Sequence, residues 1–198
     1  MRHMADRCHD TCLEHVETVI EHSSPIHYVA DKIQELGCPI PAGWIKCTPC
    51  SEQNSIRMSG GFTVDSSLQA PMIIVCENEK LHRQTLEDTL IHELIHAYDV
   101  CRAKVDWTNC FHHACTEVRA SALSGECNPS REFKRGNFNI QKAYQKCVQR
   151  RAIKSVSANP HCRNVAKEAV ESVFRNCFSD TAPFSDHSQT MAPSNSGS

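Results

Sequence analysis

Two histidines and a glutamate lie within five consecutive residues of the chain, as His92, Glu93 and His96. Histidines four residues apart on a helix project from the same face, so both imidazoles can reach one metal ion. Zinc in a hydrolytic site takes three protein ligands and leaves its fourth position to a water molecule, whose pKa falls to about 7. Glu93 is placed to take a proton from that water and pass it to the leaving amine. The spacing therefore predicts zinc-dependent attack of water on a peptide carbonyl.

Several side chains compete to be the third zinc ligand. Glu117 lies 21 residues after His96 on the next predicted helix, a layout found in zinc proteases that take a glutamate from a following helix. Asp99 is the rival, because it lies one turn beyond His96 on the same helical face, although it could instead orient a ligand histidine. Glu117 in turn could simply pair with a nearby arginine, and His112 and His113 are further candidates. We expect Glu117 to complete the site.

Length and composition describe an ordinary globular chain. Its 198 residues are enough for one domain with a proper core, and its hydrophobic share of 40% and charged share of 22% are typical. The net charge of -2 means that the chain has no excess of positive charge to attract nucleic acid, and we expect no nucleic-acid partner. The longest apolar run, 72–76, is far below the roughly 20 residues that span a bilayer. The acidic stretch 1–24 argues against a mitochondrial presequence, and no apolar segment there suggests a secretory signal.

Cysteine is the unusual component, with 13 residues in the chain. Cytosolic proteins seldom keep so many, so the count indicates an oxidising compartment or metal binding. Cys47 and Cys50 form a CxxC pair, for which disulfides to different partners are favoured over a redox couple or half of a zinc site. A second zinc site would combine that pair with Cys110 and Cys115. A different zinc hydrolase would use Cys76 as a ligand beside the two histidines, as peptide deformylases do.

Hydrophobic periodicity and chain breakers predict helices at both ends of the chain and short strands between them. The predicted helices cover 8–36 with a break at 23–25, then 86–104, 110–125, 138–156 and 160–178. The predicted strands are a hairpin of 56–58 with 60–64, followed by 72–76. Thr85 and Asp88 resemble a capping box at the start of the 86–104 helix.

These elements predict an α+β, zincin-like metalloprotease domain at residues 25–178. A small sheet that includes 72–76 would pack on the 86–104 helix, and a backing helix would carry Glu117. Extra helices would be stapled by disulfides. Residues 1–24 would form an N-terminal helical extension, and the Ser-, Pro-, Thr- and Asn-rich residues 179–198 a disordered tail.

A basic stripe is predicted on the 138–156 helix. Eight lysines and arginines lie within 131–154, against one acidic residue. Four of them recur at intervals of four residues, and these are Lys142, Lys146, Arg150 and Lys154. A charge run is usually a solvated helix face. The alternative is docking to a partner or to anionic lipid head groups, where each basic residue contributes about 1 kcal/mol.

The block from His92 to Arg102 resembles the core of a family of mitochondrial inner-membrane metalloproteases that assist ATP synthase assembly. Further similar segments lie on both sides, at 60–61, 74–78, 109–110, 113–120, 123–127, 147–152 and 173–177. The resemblance covers about residues 30–184, and its central block is far more specific than the histidine spacing alone.

The resemblance implies a zinc metalloendopeptidase of the mitochondrial intermembrane space, held peripherally on the inner membrane. Members of this family remove the N-terminal propeptide of an ATP synthase Fo subunit and also assist Fo assembly without proteolysis. Their cysteines are oxidised during import, which makes the oxidative import machinery a partner. Carried over by position, His92 and His96 are zinc ligands and Glu93 is the catalytic residue. The alternative function is an assembly chaperone that binds a membrane subunit through the same cleft.

Overall fold

A computed structural model describes residues 2–50, 58–65, 70–79, 81–127 and 140–184 of the chain. These residues contain six α-helices and one three-stranded sheet, so the predicted α+β class is confirmed. The helices are α1 (Arg2–His22), α2 (Ser24–Glu35), α3 (Arg83–Arg102), α4 (Cys110–Leu123), α5 (Ile140–Ala158) and α6 (Ala166–Ser179). The strands are β1 (Ile45–Thr48), β2 (Gly60–Asp65) and β3 (Ala70–Cys76). Within these ranges, no helix has both the length and the apolar character needed to cross a bilayer.

The first two helices are separated at the predicted break. Ser23 has an extended backbone, and its side-chain oxygen accepts a hydrogen bond from the Ile26 N–H, which caps α2. Pro25 lies in the first turn of α2, where its missing N–H costs nothing. Val16 and Val19 of α1 belong to the same buried core as α2 and α3. The predicted N-terminal extension therefore packs against the rest of the structure.

The sheet is organised around β3, which pairs with β1 in parallel and with β2 in antiparallel orientation. Residues 70–76 are mostly buried, as expected for an apolar strand with neighbours on both edges. The sequence predicts that 60–64 pairs with 56–58, whereas β2 pairs with β3. Residues 56 and 57 lie outside the described residues, and Met58 is not in a strand. The small sheet packs on α3, as predicted.

Helix α3 is buried on nearly all sides, with its apolar and polar residues alike enclosed by the sheet, α2 and α4. The predicted capping box at its start is wrong. The N-cap residue is His82, and Thr85 lies inside the helix, where its carbonyl accepts a hydrogen bond from Thr89 Oγ1. The helix therefore begins earlier than the predicted boundary.

A second core lies between α4, α5 and α6. Its central residues are small or β-branched, and they include Ala114, Val118, Val148, Ala152 and Val170. The sequence predicts a helix over 160–178, whereas a short 3-10 turn at Arg163–Val165 precedes α6.

All 13 cysteines lie within the described residues, and twelve of them form six disulfides. The pairs are Cys12–Cys47, Cys38–Cys101, Cys50–Cys76, Cys110–Cys162, Cys115–Cys177 and Cys127–Cys147, and Cys8 is free and exposed. The two CxxC cysteines thus have different partners, as predicted. The alternative zinc site with Cys110 and Cys115 and the alternative ligand Cys76 are both wrong, because these sulfurs are in disulfides.

The sequence predicts disorder from residue 179, whereas α6 includes Ser179 and the described chain continues to Phe184. The Tyr28 hydroxyl donates to the Pro183 carbonyl at 2.9 Å, and the Tyr28 ring stacks on Phe184 with centroids 5.6 Å apart. These contacts fix residues 180–184 against α2. Residues 185–198 lie outside the described residues, and the division into three segments stays a prediction.

Gly60 of β2 lies close to both β3 and α3. A Cβ atom there would lie 2.8 Å from the Ile74 carbonyl oxygen and 2.8 Å from Thr89 Cγ2. Because overpacking of this kind typically costs about 1–3 kcal/mol, we expect Gly60→Ala to lower the free energy of unfolding by that amount in urea. Gly61→Ala is the matched control, since among the described residues its Cβ would meet only Met58 Cε, at 3.8 Å. Equal losses in the two variants would contradict this explanation.

Candidate metal centre

Helices α3 and α4 bring the two predicted histidine ligands and Glu117 into one buried cluster. His92 Nε2 lies 3.4 Å from Glu117 Oε2, and His96 Nε2 lies 3.6 Å from Glu117 Oε1. One ligand atom from each of the three residues lies within 4.8 Å of the other two. This group could hold a metal ion.

The cluster fits a zinc ion in its distances and its chemistry. Tetrahedral zinc with bonds of about 2.0–2.1 Å keeps its ligand atoms roughly 3.3 Å apart, close to the separations of Glu117 from the two histidines. Glu117 Oε2 is buried and has no hydrogen-bond partner within the described residues. A buried carboxylate oxygen without a partner requires an explanation, and a cation provides one. Two imidazoles and one carboxylate are also a common ligand set of catalytic zinc.

The other candidates for the third ligand have different surroundings. Asp99 accepts two hydrogen bonds of 3.0 Å from Arg119 Nε, which occupy both its oxygens. His112 is exposed. His113 is buried, and its Nε2 lies 3.3 Å from Glu117 Oε1, so it contacts the cluster without belonging to the group of ligand atoms. Nor does Glu117 pair with Arg119, the simpler role that the sequence allows.

The charges of the cluster follow from its burial. Burial opposes a charge on His92, but three carboxylates outweigh it, Glu126 first among them, and raise the pKa of His92 to about 9. Burial lowers the pKa of His96 to about 3, against the attraction of Glu117. Burial also favours a neutral Glu117, but the histidines around it hold the pKa of this carboxyl well below its usual range. The carboxylates around His92 thus favour its positively charged form. A bound cation would supply that positive charge in place of the proton.

Glu93 lines the same cleft as the histidine pair and is 8% exposed. Burial raises its pKa to about 7, against the opposing effect of His92. A carboxyl group with a pKa near neutrality can both accept and return a proton, as a general base and acid must.

A cleft of about 730 Å³ contains the cluster. Strand β2 and helix α3 line one side of it, and α4, α5 and the turn after α5 line the other. Apolar contacts come from Phe62, Val64 and Trp107, and positive charge comes from Arg151 and Lys154.

Two residues at the site are not predicted from the sequence. Glu126 Oε1 lies 3.6 Å from His92 Nδ1. The Trp107 ring meets His96 and His113 edge-on, with centroids 5.8 and 5.5 Å away. Both residues lie in the segments that flank α4, where periodicity carries no information. The resemblance includes Glu126 in its 123–127 segment but assigns it no role.

A buried ion-pair network fixes α4 on α3 beside the cluster. Arg119 is 1% exposed, and besides Asp99 it donates to the backbone carbonyls of Asp180 and Ala182. Arg102 Nε also donates to Asp99, at 3.0 Å. The network therefore connects α3, α4 and the segment after α6.

Proteins similar to this chain are named as proteases. The Emericella nidulans protein named mitochondrial inner membrane protease atp23 is 41% identical over 179 residues, which cover 88% of this chain and 71% of that protein. Proteins of the same name from Debaryomyces hansenii and Coccidioides immitis are 40% and 43% identical, over 90% and 88% of this chain and 72% of each relative. No solved structure matches the chain. By class, the protein is a peptidase.

The model of one family matches residues 10–185, which is most of the chain. The chain belongs to the peptidase M76 family. The matched range includes all three strands and the whole candidate site. The resemblance noted around residues 92–102 is therefore confirmed.

Arg119→Met should destabilise the fold strongly, because it leaves Asp99 buried without its main partner. Breaking a buried ion pair in this way costs about 3–5 kcal/mol, and we expect that loss in the free energy of unfolding measured with urea. Asp99→Leu combined with Arg119→Met should recover part of the loss, since no unpaired charge remains. Arg102→Met is the control, because the Arg102 side chain is 27% exposed. A similar loss from both arginines would contradict the role assigned to burial.

Proposed function

We propose that this peptidase is a zinc metalloendopeptidase. The observation that carries the proposal is the buried group of His92, His96 and Glu117, with Glu93 in the same cleft. A zinc ion held by these three side chains would lower the pKa of a water molecule to about 7 and polarise the peptide carbonyl. Glu93 takes the proton of the attacking water and returns it to the leaving amine.

The substrate is proposed to bind as an extended peptide along β2. In the described residues β2 is an edge strand of the sheet, and Gly60 to Val64 line the cleft. An extended peptide can add to such an edge through backbone hydrogen bonds, with pockets for alternate side chains. Phe62 and Trp107 provide apolar surface beside it. On the strength of the resemblance, we propose the N-terminal propeptide of an ATP synthase Fo subunit as the substrate.

The protein is proposed to act in the mitochondrial intermembrane space, on the surface of the inner membrane. Six disulfides suit an oxidising compartment, and their formation is assigned to the oxidative import machinery. The relatives are named as proteases of the mitochondrial inner membrane. Helix α5 has no acidic residue, and its Lys142, Lys146 and Arg150 are exposed and lie outside the cleft lining, a surface that suits anionic lipid.

Assistance of Fo assembly is proposed as a second role of the same cleft. Its apolar residues Phe62, Val64 and Trp107 suit an apolar segment of a membrane subunit, and binding of that kind does not need a proton acceptor at Glu93. The two roles are therefore separable by a substitution that removes the acceptor and keeps the apolar surface.

Glu93→Gln should retain zinc and lose peptide cleavage, because the amide cannot accept the proton of the attacking water. Removal of a general base typically lowers the rate about 10²–10⁴-fold, measured here on the Fo propeptide with zinc content determined in parallel. Glu87→Gln is the control on the same helix, since Glu87 accepts a hydrogen bond from the Ser23 hydroxyl and does not line the cleft. Cleavage that survived Glu93→Gln would overturn the protease mechanism, and normal Fo assembly with lost cleavage would establish two separable roles.

Removing two charges from α5 should weaken binding to vesicles that contain anionic phospholipid. With about 1 kcal/mol for each basic residue near the surface, Lys146→Gln combined with Arg150→Gln should lower the partition coefficient about 30-fold in a sedimentation assay. Both residues are exposed. Lys104→Gln with Lys167→Gln removes the same charge from other exposed positions and should have a smaller effect. Equal losses of binding in the two double variants would show that net charge, and not the surface of α5, determines the binding.

A further inference from the structure

The imidazole of His92 lies between two carboxylates, one at each ring nitrogen. Nε2 faces Glu117 Oε2 at 3.4 Å, and Nδ1 faces Glu126 Oε1 at 3.6 Å. Nδ1 is buried and has no hydrogen-bond partner within the described residues. If Nε2 bound the metal, the proton of the neutral imidazole would be on Nδ1, where Glu126 is the facing acceptor.

Glu126 reaches His92 because the chain turns sharply at the end of α4. Ser124 caps the helix, and Gly125 follows with a φ of +88°. This left-handed conformation is readily adopted by glycine, which is why glycine commonly ends helices. A Cβ at Gly125 would also lie 3.1 Å from Asp88 Oδ1 of α3. The turn therefore packs closely on α3 and directs Glu126 toward the cluster.

Glu126 is held from the opposite side by α5. Arg151 Nε lies 2.5 Å from Glu126 Oε2, the oxygen that does not face His92, and the contact is an ion pair by distance without hydrogen-bond geometry. The Glu126 side chain is 11% exposed, whereas that of Arg151 is 46% exposed. The carboxylate thus divides its two oxygens between an arginine at the surface and a histidine in the site.

A disulfide links the two segments that carry Glu126 and Arg151. Cys127 directly follows Glu126, and Cys147 lies four residues before Arg151 on the same face of α5. The Cys127–Cys147 bond therefore connects the turn after α4 to α5 next to the ion pair.

We propose that Glu126 is a positioning residue for His92, anchored by Arg151 and by the Cys127–Cys147 disulfide. The inference rests on the proposed zinc site. A carboxylate at the second nitrogen of a ligand histidine fixes the orientation of the ring and raises its basicity, and loss of such a partner typically weakens metal binding 10–100-fold. An ion pair that only joined α4 to α5 would contribute to stability and leave zinc affinity unchanged.

Zinc affinity of the full, oxidised chain tests the inference, measured by competition with a chelating indicator. We expect Glu126→Ala to raise the Kd for zinc about 10–100-fold, and Arg151→Ala to raise it by less. Arg150→Ala is the matched control, because Arg150 is an exposed neighbour on the same helix, and its Kd should be unchanged. Glu126→Gln preserves the size of the side chain and serves if Glu126→Ala does not fold, with a Kd between those of wild type and Glu126→Ala.

Two further measurements distinguish positioning from stability. The visible absorption of the cobalt-substituted protein depends on ligand geometry, so it should shift in Glu126→Ala and stay unchanged in Arg150→Ala. Cys127→Ser with Cys147→Ser should weaken zinc binding in the wild-type background and add nothing to Glu126→Ala, because both changes act through the same carboxylate.

The outcomes separate this inference from the function on which it rests. A wild-type protein that does not bind zinc would overturn the proposed function and this inference together. Tight wild-type binding with an unchanged Kd in both Glu126 variants would overturn the inference alone. Equal weakening by Arg150→Ala and Arg151→Ala would show that Arg151 is not the anchor.

Discussion

Helix α3 is buried on nearly all sides while it carries histidines and carboxylates, and this combination constrains the rest of the structure. Buried polar groups are stable only where partners meet them, because an unpaired buried charge costs several kcal/mol. Helix α4 supplies those partners twice, with Glu117 for the histidine pair and Arg119 for Asp99. The packing of α4 on α3 therefore both stabilises the core and assembles the site.

The parts of the structure that follow from local pattern are predictable from the sequence. The α3 and α4 helices have clear periodicity, and the spacing of His92 and His96 needs only helical geometry to place both imidazoles on one face. Glu117 is predictable as a candidate from its position on the following helix. Its competitor Asp99 is also a candidate, because it lies one turn beyond His96 on the same helical face. The two candidates are distinguished by the buried Arg119, which pairs with Asp99 and whose position depends on how α3 and α4 pack.

The parts that depend on contacts between distant segments are not predictable in this way. The first strand, β1, has four residues and is defined by its parallel pairing with β3, a partner that lies beyond β2 in the chain. Pairing of the cysteines is likewise undetermined by their spacing. Glu126 combines these difficulties, since its position depends on a left-handed turn at Gly125, an arginine on α5 and a disulfide to that helix.

The disulfides divide the chain into two halves, and the cleft is lined by residues of both. Three of the six connect residues within 12–101, and the other three connect residues within 110–177, so no disulfide joins the two halves. The boundary runs between α3 and α4, and the two buried cores fall largely on opposite sides of it. The halves are joined by the chain itself, by the packing of α4 on α3, by the Asp99–Arg119 network and by the contacts of Tyr28 with Pro183 and Phe184. A metal ion bound by His92, His96 and Glu117 would take ligands from both halves. Because binding to the folded state adds to its stability, such an ion would strengthen the boundary between the two halves, which no disulfide crosses.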